Sequence, residues 1–113
     1  MSSISLFSAL LVAATGPVPG TACPASNGGA RFTGGQVYDG PVEENAILKP
    51  DEEHRVRGVT IAAYPLDYVL GQGRPIFLTC DYANKSSLVV RVNRSVKVCR
   101  YSYTRRRESL ACR

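Results

Sequence analysis

The chain has 113 residues, 44% hydrophobic and 20% charged, with four cysteines, no tryptophan and a formal net charge of +5. That length bounds it to a small domain whose core is marginal alone, so cross-links are physically useful. An even cysteine count behind an uncharged apolar N-terminus reads as a disulfide framework in an oxidising compartment, and with no nucleic-acid motif it excludes nucleic acid as a partner.

Residues 1–22 carry no charged side chain, and Leu6, Phe7, Ala9, Leu10, Leu11, Val12, Ala13 and Ala14 form a short apolar run. The run has the length of a signal-peptide core and is too short to span a bilayer. Pro17 and Pro19 break any helix, and Gly20 and Ala22 are small residues before Cys23. The expected organisation is therefore a signal peptide over residues 1–22 and a disulfide-bonded β domain over residues 23–113. Lipidation of Cys23 is the competing use of that residue, although Gly20 stands where a lipobox calls for leucine.

Residues 24–36 are rich in Gly, Ala, Ser and Asn and read as loop. Val37-Tyr38-Asp39-Gly40-Pro41 reads as a short strand entering a turn, with Asp-Gly supplying the turn chemistry. Glu43 to His54 is polar and broken by Pro50, which predicts a loop with one helical turn. Val59 to Tyr64 is β-rich and ends at Pro65, and Gly71-Gln72-Gly73 is a turn. Ile76, Leu78, Cys80 and Tyr82 share one face of the next strand. Leu88, Val90 and Val92 alternate in another, as do Cys99, Tyr101 and Tyr103, and Leu110 with Cys112. Closely spaced strands without a convincing amphipathic helix predict an all-β fold, a small antiparallel sandwich or open barrel with two disulfides.

Four cysteines allow three pairings. If Ser95–Thr104 and Arg107–Cys112 form a hairpin turning at Arg105-Arg106, opposed positions sum to 211 and Cys99 faces Cys112. Directly opposed Cβ atoms lie about 4.5–5.5 Å apart, close to what a disulfide needs. Cys23 then reaches Cys80. The main competing arrangement is Cys80 with Cys99 and Cys23 with Cys112.

No catalytic set stands out, and no enzyme activity is expected. His54, the one histidine, sits in a charged run and reads as solvated. Glu43-Glu44 and Asp51-Glu52-Glu53 are crowded carboxylates of a polar segment. Gly71-Gln72-Gly73 has no following helix for a phosphate loop. No pair of cysteines has zinc spacing, so neither metal nor cofactor is expected. From Arg31 to Arg74 there are seven acids and five bases, and from Pro75 to Arg113 two acids and nine bases. The basic half could hold an anionic envelope polymer or lipid headgroup. Its sharpest feature, Arg105-Arg106-Arg107, could grip a carboxylate or phosphate, or simply guard a hairpin tip.

Tyr38-Asp39-Gly40-Pro41-Val42-Glu43-Glu44, then Ala46, Leu48 and Pro50-Asp51, resembles the YDGPxEExAxLxPD signature of a family of small exported proteobacterial proteins of unknown function. Arg74-Pro75 followed by Leu78, Cys80, Tyr82 and Ala83 is similar to that family's RPYWLxCRYA strand, with Ile76 and Phe77 replacing its aromatic pair. Cys23-Pro24, Cys99 and Cys112-Arg113 match the rest of the pattern; the missing tryptophan and the arginine run depart from it. Members are sometimes encoded near type VI secretion loci. The resemblance implies a periplasmic, non-enzymatic protein that binds a macromolecule, as an immunity or inhibitor protein against a secreted effector. An envelope-binding module is the alternative. The residues expected at the partner surface are Tyr38, Asp39, Glu43 and Glu44 in a pre-ordered turn, and Arg105, Arg106 and Arg107 at the hairpin tip.

Overall fold

The computed structural model describes residues 16–113, so the apolar run Leu6–Ala14 and its reading as a leader lie outside the described residues. The described strands are β1 (Val18–Gly20), β2 (Ser26–Asn27), β3 (Ala30–Asp39), β4 (Glu52–Val56), β5 (Val59–Pro65), β6 (Ile76–Tyr82), β7 (Ser87–Val92), β8 (Val98–Tyr103) and β9 (Glu108–Cys112). One short helix, α1 (Asp67–Gly71), joins β5 to β6. The strands form two sheets, one in the order β1-β7-β6-β3-β2 and the other β4-β5-β8-β9. The fold is all-β, as the strand-rich sequence predicts, with the two sheets curled into half a barrel.

The core lies between the sheets. Val37, Leu78 and Val90 from one sheet and Cys99 and Leu110 from the other are almost wholly buried. Removing a leucine such as Leu78 or Leu110 from water contributes about 1.5–3 kcal/mol. Leu66, just before α1, and Val69, within it, close one end of this core. Arg94 holds the end of α1 by donating to the carbonyl oxygens of Leu70 and Arg74, both at 3.1 Å.

Both cross-links follow the expected pairing, Cys23–Cys80 and Cys99–Cys112. Cys99 stands opposite Cys112 and Arg100 opposite Ala111, the register that a turn at Arg105-Arg106 dictates. Because the Cys23 sulfur is bonded to Cys80, it is not free to carry a lipid thioether.

Three segments depart from the sequence reading. Residues within 24–36 are not loop: Ala30–Asp39 is the longest strand of the first sheet and Ser26–Asn27 pairs with it. Gly35 is there for close approach: a Cβ on it would collide with the backbone oxygen of Thr79 on β6. A bulge between Phe32 and Gly34 also shifts the register, so Phe32 joins Gly35 and Val37 on the core side despite their odd spacing. The polar segment Glu52–Val56 is a strand rather than loop, because it is an edge whose five residues are all exposed and whose pairing to β5 is by backbone. Its turn, Arg57-Gly58, has positive φ at both residues (51° and 79°), the geometry of a two-residue hairpin without the usual Asn-Gly signal. The helical turn expected in the Glu43–His54 segment is present at its start as a 3₁₀ turn, Val42–Glu44. The short helix α1 ends at Gly71, the first residue of the expected Gly71-Gln72-Gly73 turn, and is too brief for periodicity to reveal.

Candidate partner-binding site

The two groups of residues singled out in the sequence fall at different places, and the structure uses them differently. Tyr38 is buried, and its strand continues into a clasp with a later segment. The Tyr38–Glu44 turn is tied down by backbone bonds, Asp39 N–H to the Ala46 oxygen at 2.9 Å and Gly40 N–H to the Pro75 oxygen at 2.8 Å. Arg74 then donates through Nε to Asp39 Oδ1 at 2.6 Å and through Nη2 to Glu44 Oε1. These hydrogen bonds to the two carboxylates raise the Arg74 pKa further above its ordinary value. Gly40 has φ +86°, and a Cβ there would collide with the Arg74 guanidinium. Asp39-Gly40-Pro41 and Arg74-Pro75, far apart in the chain, are thus two halves of one clasp. It neutralises Asp39 and Glu44 internally and leaves Glu43 as the exposed acid of the turn with no ion pair among the described residues.

The arginine run has the opposite character. It sits at the β8–β9 tip, where Thr104 N–H donates to the Arg107 oxygen at 2.8 Å. The Thr104 hydroxyl oxygen accepts the backbone N–H groups of Arg106 and Arg107, both at 3.2 Å. This local hydroxyl-capped turn holds the tip without help from glycine. Beside it lies an open cleft of about 570 Å³, walled by Arg105, Arg106 and Arg107 on one side and Arg31 on the other, with Cys23, Ala25 and Phe32 among its lining. All four arginines are exposed, and among the described residues none of them forms an ion pair. Among the described residues, Glu108 is the one acid lining the cleft; its carboxylate accepts the Tyr101 hydroxyl at 2.6 Å. Burial first, then that bond, raises the Tyr101 pKa well above the ordinary phenol value.

The wall opposite the tip is braced. Cys23 is linked to Cys80 on β6, and the Tyr82 hydroxyl donates to the Pro24 oxygen at 2.8 Å. Asn27 Nδ2 donates to Ser86 Oγ at 3.0 Å, and Phe32 N–H to the Ala25 oxygen at 3.0 Å. Phe32 also stacks edge-on against Tyr82 (centroids 6.0 Å apart) and lies 5.9 Å from the Tyr101 ring. Arg31, Phe32 and Thr104 were not legible as site residues. Arg31 and the tip are far apart in sequence, and only the packing of β3 near β9 joins them. Thr104 carried a readable signal, a threonine immediately before a polar turn.

His54 is exposed, with Nε2 2.6 Å from Glu52 Oε2 on the same edge strand, away from the cleft. No group of three or more metal-ligating side chains occurs among the described residues.

The model of the type VI secretion system Tli immunity protein family matches residues 25–113, every element from β2 onward. The chain belongs to the Tli immunity protein family of type VI secretion. No curated protein and no solved structure matches it. A Tli immunity protein acts by binding a secreted effector, and that is the function of this chain. Proteins of this kind are typically non-catalytic. Two disulfides and type VI immunity fit a periplasmic or secreted location, and no described helix is long and apolar enough to cross a membrane.

Proposed function

We propose that this Tli protein is a non-catalytic periplasmic inhibitor, exported by its N-terminal leader, that captures an acidic element of its effector in the cleft beside the β8–β9 tip. One observation carries this reading: four guanidinium groups line a single cleft and have no carboxylate partner within the described chain. A guanidinium presents a planar fork of donors that matches a carboxylate, and several of them over one concavity raise the encounter rate with an acidic surface. The disulfide and the Tyr82–Pro24 bond fix the cleft wall, and the Thr104 turn fixes the tip, so little ordering entropy is lost on binding. The Tyr38–Glu44 turn serves mainly as structure, with Glu43 free to make a peripheral contact. Its other carboxylates are already occupied by Arg74.

The test is an Arg105/Arg106/Arg107→Gln variant, measured against the secreted effector that the wild-type protein binds. Melting should change little, by less than about 0.5 kcal/mol, because exposed side chains at a tip touch few core atoms. The association rate at low salt should fall by about tenfold or more, with dissociation less affected, and the difference should shrink as salt screens it. Cells carrying the variant should survive effector delivery less well than cells carrying the wild type. Unchanged association at low salt would refute the cleft as the contact surface.

A further inference from the structure

We propose that Val18–Ala22 is a permanent part of the mature fold, so that export processing cuts upstream of Val18 and not at Ala22–Cys23. The inference rests on reading the N-terminus as an export leader. It moves the processed bond away from Ala22–Cys23, where small residues also occur.

The first argument is what Val18–Cys23 does. Val18, Pro19 and Gly20 pair in parallel with Val90, Arg91 and Val92, covering the outer edge of β7. Asn93 N–H donates to the Gly20 oxygen at 3.2 Å. The chain then crosses to the other sheet. Cys112 N–H donates to the Thr21 oxygen at 2.6 Å, Ala22 bridges Ala111, and Cys23 N–H donates to the Leu110 oxygen at 2.9 Å. Six consecutive residues thus cover one edge of each sheet in turn, β7 and then β9. Without them, β7 and β9 would both present unpaired backbone donors and acceptors, a template for association with other strands. A peptide discarded during export has no need of a register that serves two sheets.

The second argument is charge. Cleavage at Ala22–Cys23 would convert the Cys23 nitrogen into an ammonium. Cys23 is buried, 9% exposed, and that nitrogen already points at a carbonyl oxygen inside the edge. Cleavage there would put a charged chain end into the sheet-edge hydrogen bond to Leu110 and remove the residues that align it. Gly16 is exposed, as are Pro17 and Val18, so an amine generated upstream stays in water.

Intact mass and N-terminal sequencing of the protein recovered from the periplasm, after expression of the full chain, test the proposal. The expected product has lost its leader and has its N-terminus at or upstream of Val18. An N-terminus at Cys23 would overturn the proposal while upholding the leader. An uncleaved chain would overturn both, which separates the two failures. An Ala22→Arg variant provides the second arm. Ala22 is exposed, so arginine is accommodated by the fold, whereas a signal peptidase requires a small residue immediately before its cut. The variant should be processed to the same N-terminus with the same yield. Accumulation of its precursor would overturn the proposal.

Discussion

Replacing the two disulfides one pair at a time should produce unequal losses of stability, ordered by the chain that each closes. Cys23–Cys80 spans a sequence separation of 57 residues and Cys99–Cys112 one of 13. In the loop-entropy model these correspond to about 4 and about 3 kcal/mol, a difference of about 1.3 kcal/mol. Cys80 and Cys99 are both fully buried, so truncation to alanine removes a similar sulfur volume from the core in either pair and largely cancels in the comparison. The perturbation is therefore Cys23→Ala/Cys80→Ala against Cys99→Ala/Cys112→Ala, each removing both partners so that no buried thiol is left. Urea unfolding followed by tyrosine fluorescence, with melting temperatures alongside, measures the outcome. The 23–80 variant should melt roughly 5–10 °C below the 99–112 variant, at about 4–8 °C per kcal/mol for a domain of this size. Equal melting temperatures, or a lower one for the 99–112 variant, would refute the chain-entropy reasoning. The consequence for function is direct. Together the bridges contribute about 7 kcal/mol, comparable with the roughly 5–14 kcal/mol total expected for about 90 residues. Under reducing conditions the protein should be marginal at best.

Gly35→Ala should destabilise by about 1–3 kcal/mol or more, since its Cβ would meet the Thr79 carbonyl oxygen rather than a flexible side chain; a wild-type unfolding midpoint would show that β3 and β6 can separate at no cost. Arg74→Gln should release the Tyr38–Glu44 turn, seen as faster limited proteolysis there, and Arg74→Lys should not restore it, because a single ammonium does not bridge Asp39 and Glu44 as the guanidinium does. Stability should be level through neutral pH and fall above about pH 10: burial raises the pKa values of Tyr64, Tyr82 and Tyr101, so the unfolded chain loses its phenol protons first. Tyr101→Phe should flatten that alkaline fall while costing about 0.5–1.5 kcal/mol near neutrality through the lost bond to Glu108, and a steeper fall in the variant would refute the assignment.

Local chemistry determined much of this protein. Alternation located β6 to β9, because each of those strands turns one face to a single core, although β6 also buries Phe77 on its other face. The position of the Arg105-Arg106 turn set the β8–β9 register and, with it, the pairing of Cys99 with Cys112. The Tyr38–Glu44 and Arg74–Ala83 motifs were recognisable as strings, and the family match covers both. What they do was not legible. Only tertiary structure brings Arg74 onto Asp39 and Glu44 and joins the two motifs into one clasp. Glycines in Ala30–Asp39 looked like loop because composition records flexibility and not the Thr79 backbone that excludes a Cβ. The exposed edge Glu52–Val56 had no apolar period to betray it, since its pairing is made by backbone alone. The cleft itself depends on Arg31 and Arg105–Arg107 meeting across two sheets, a distance in sequence that no spacing rule spans. Charge could be counted along the chain, but whether each charge is spent inside the fold or left for a partner was decided by packing.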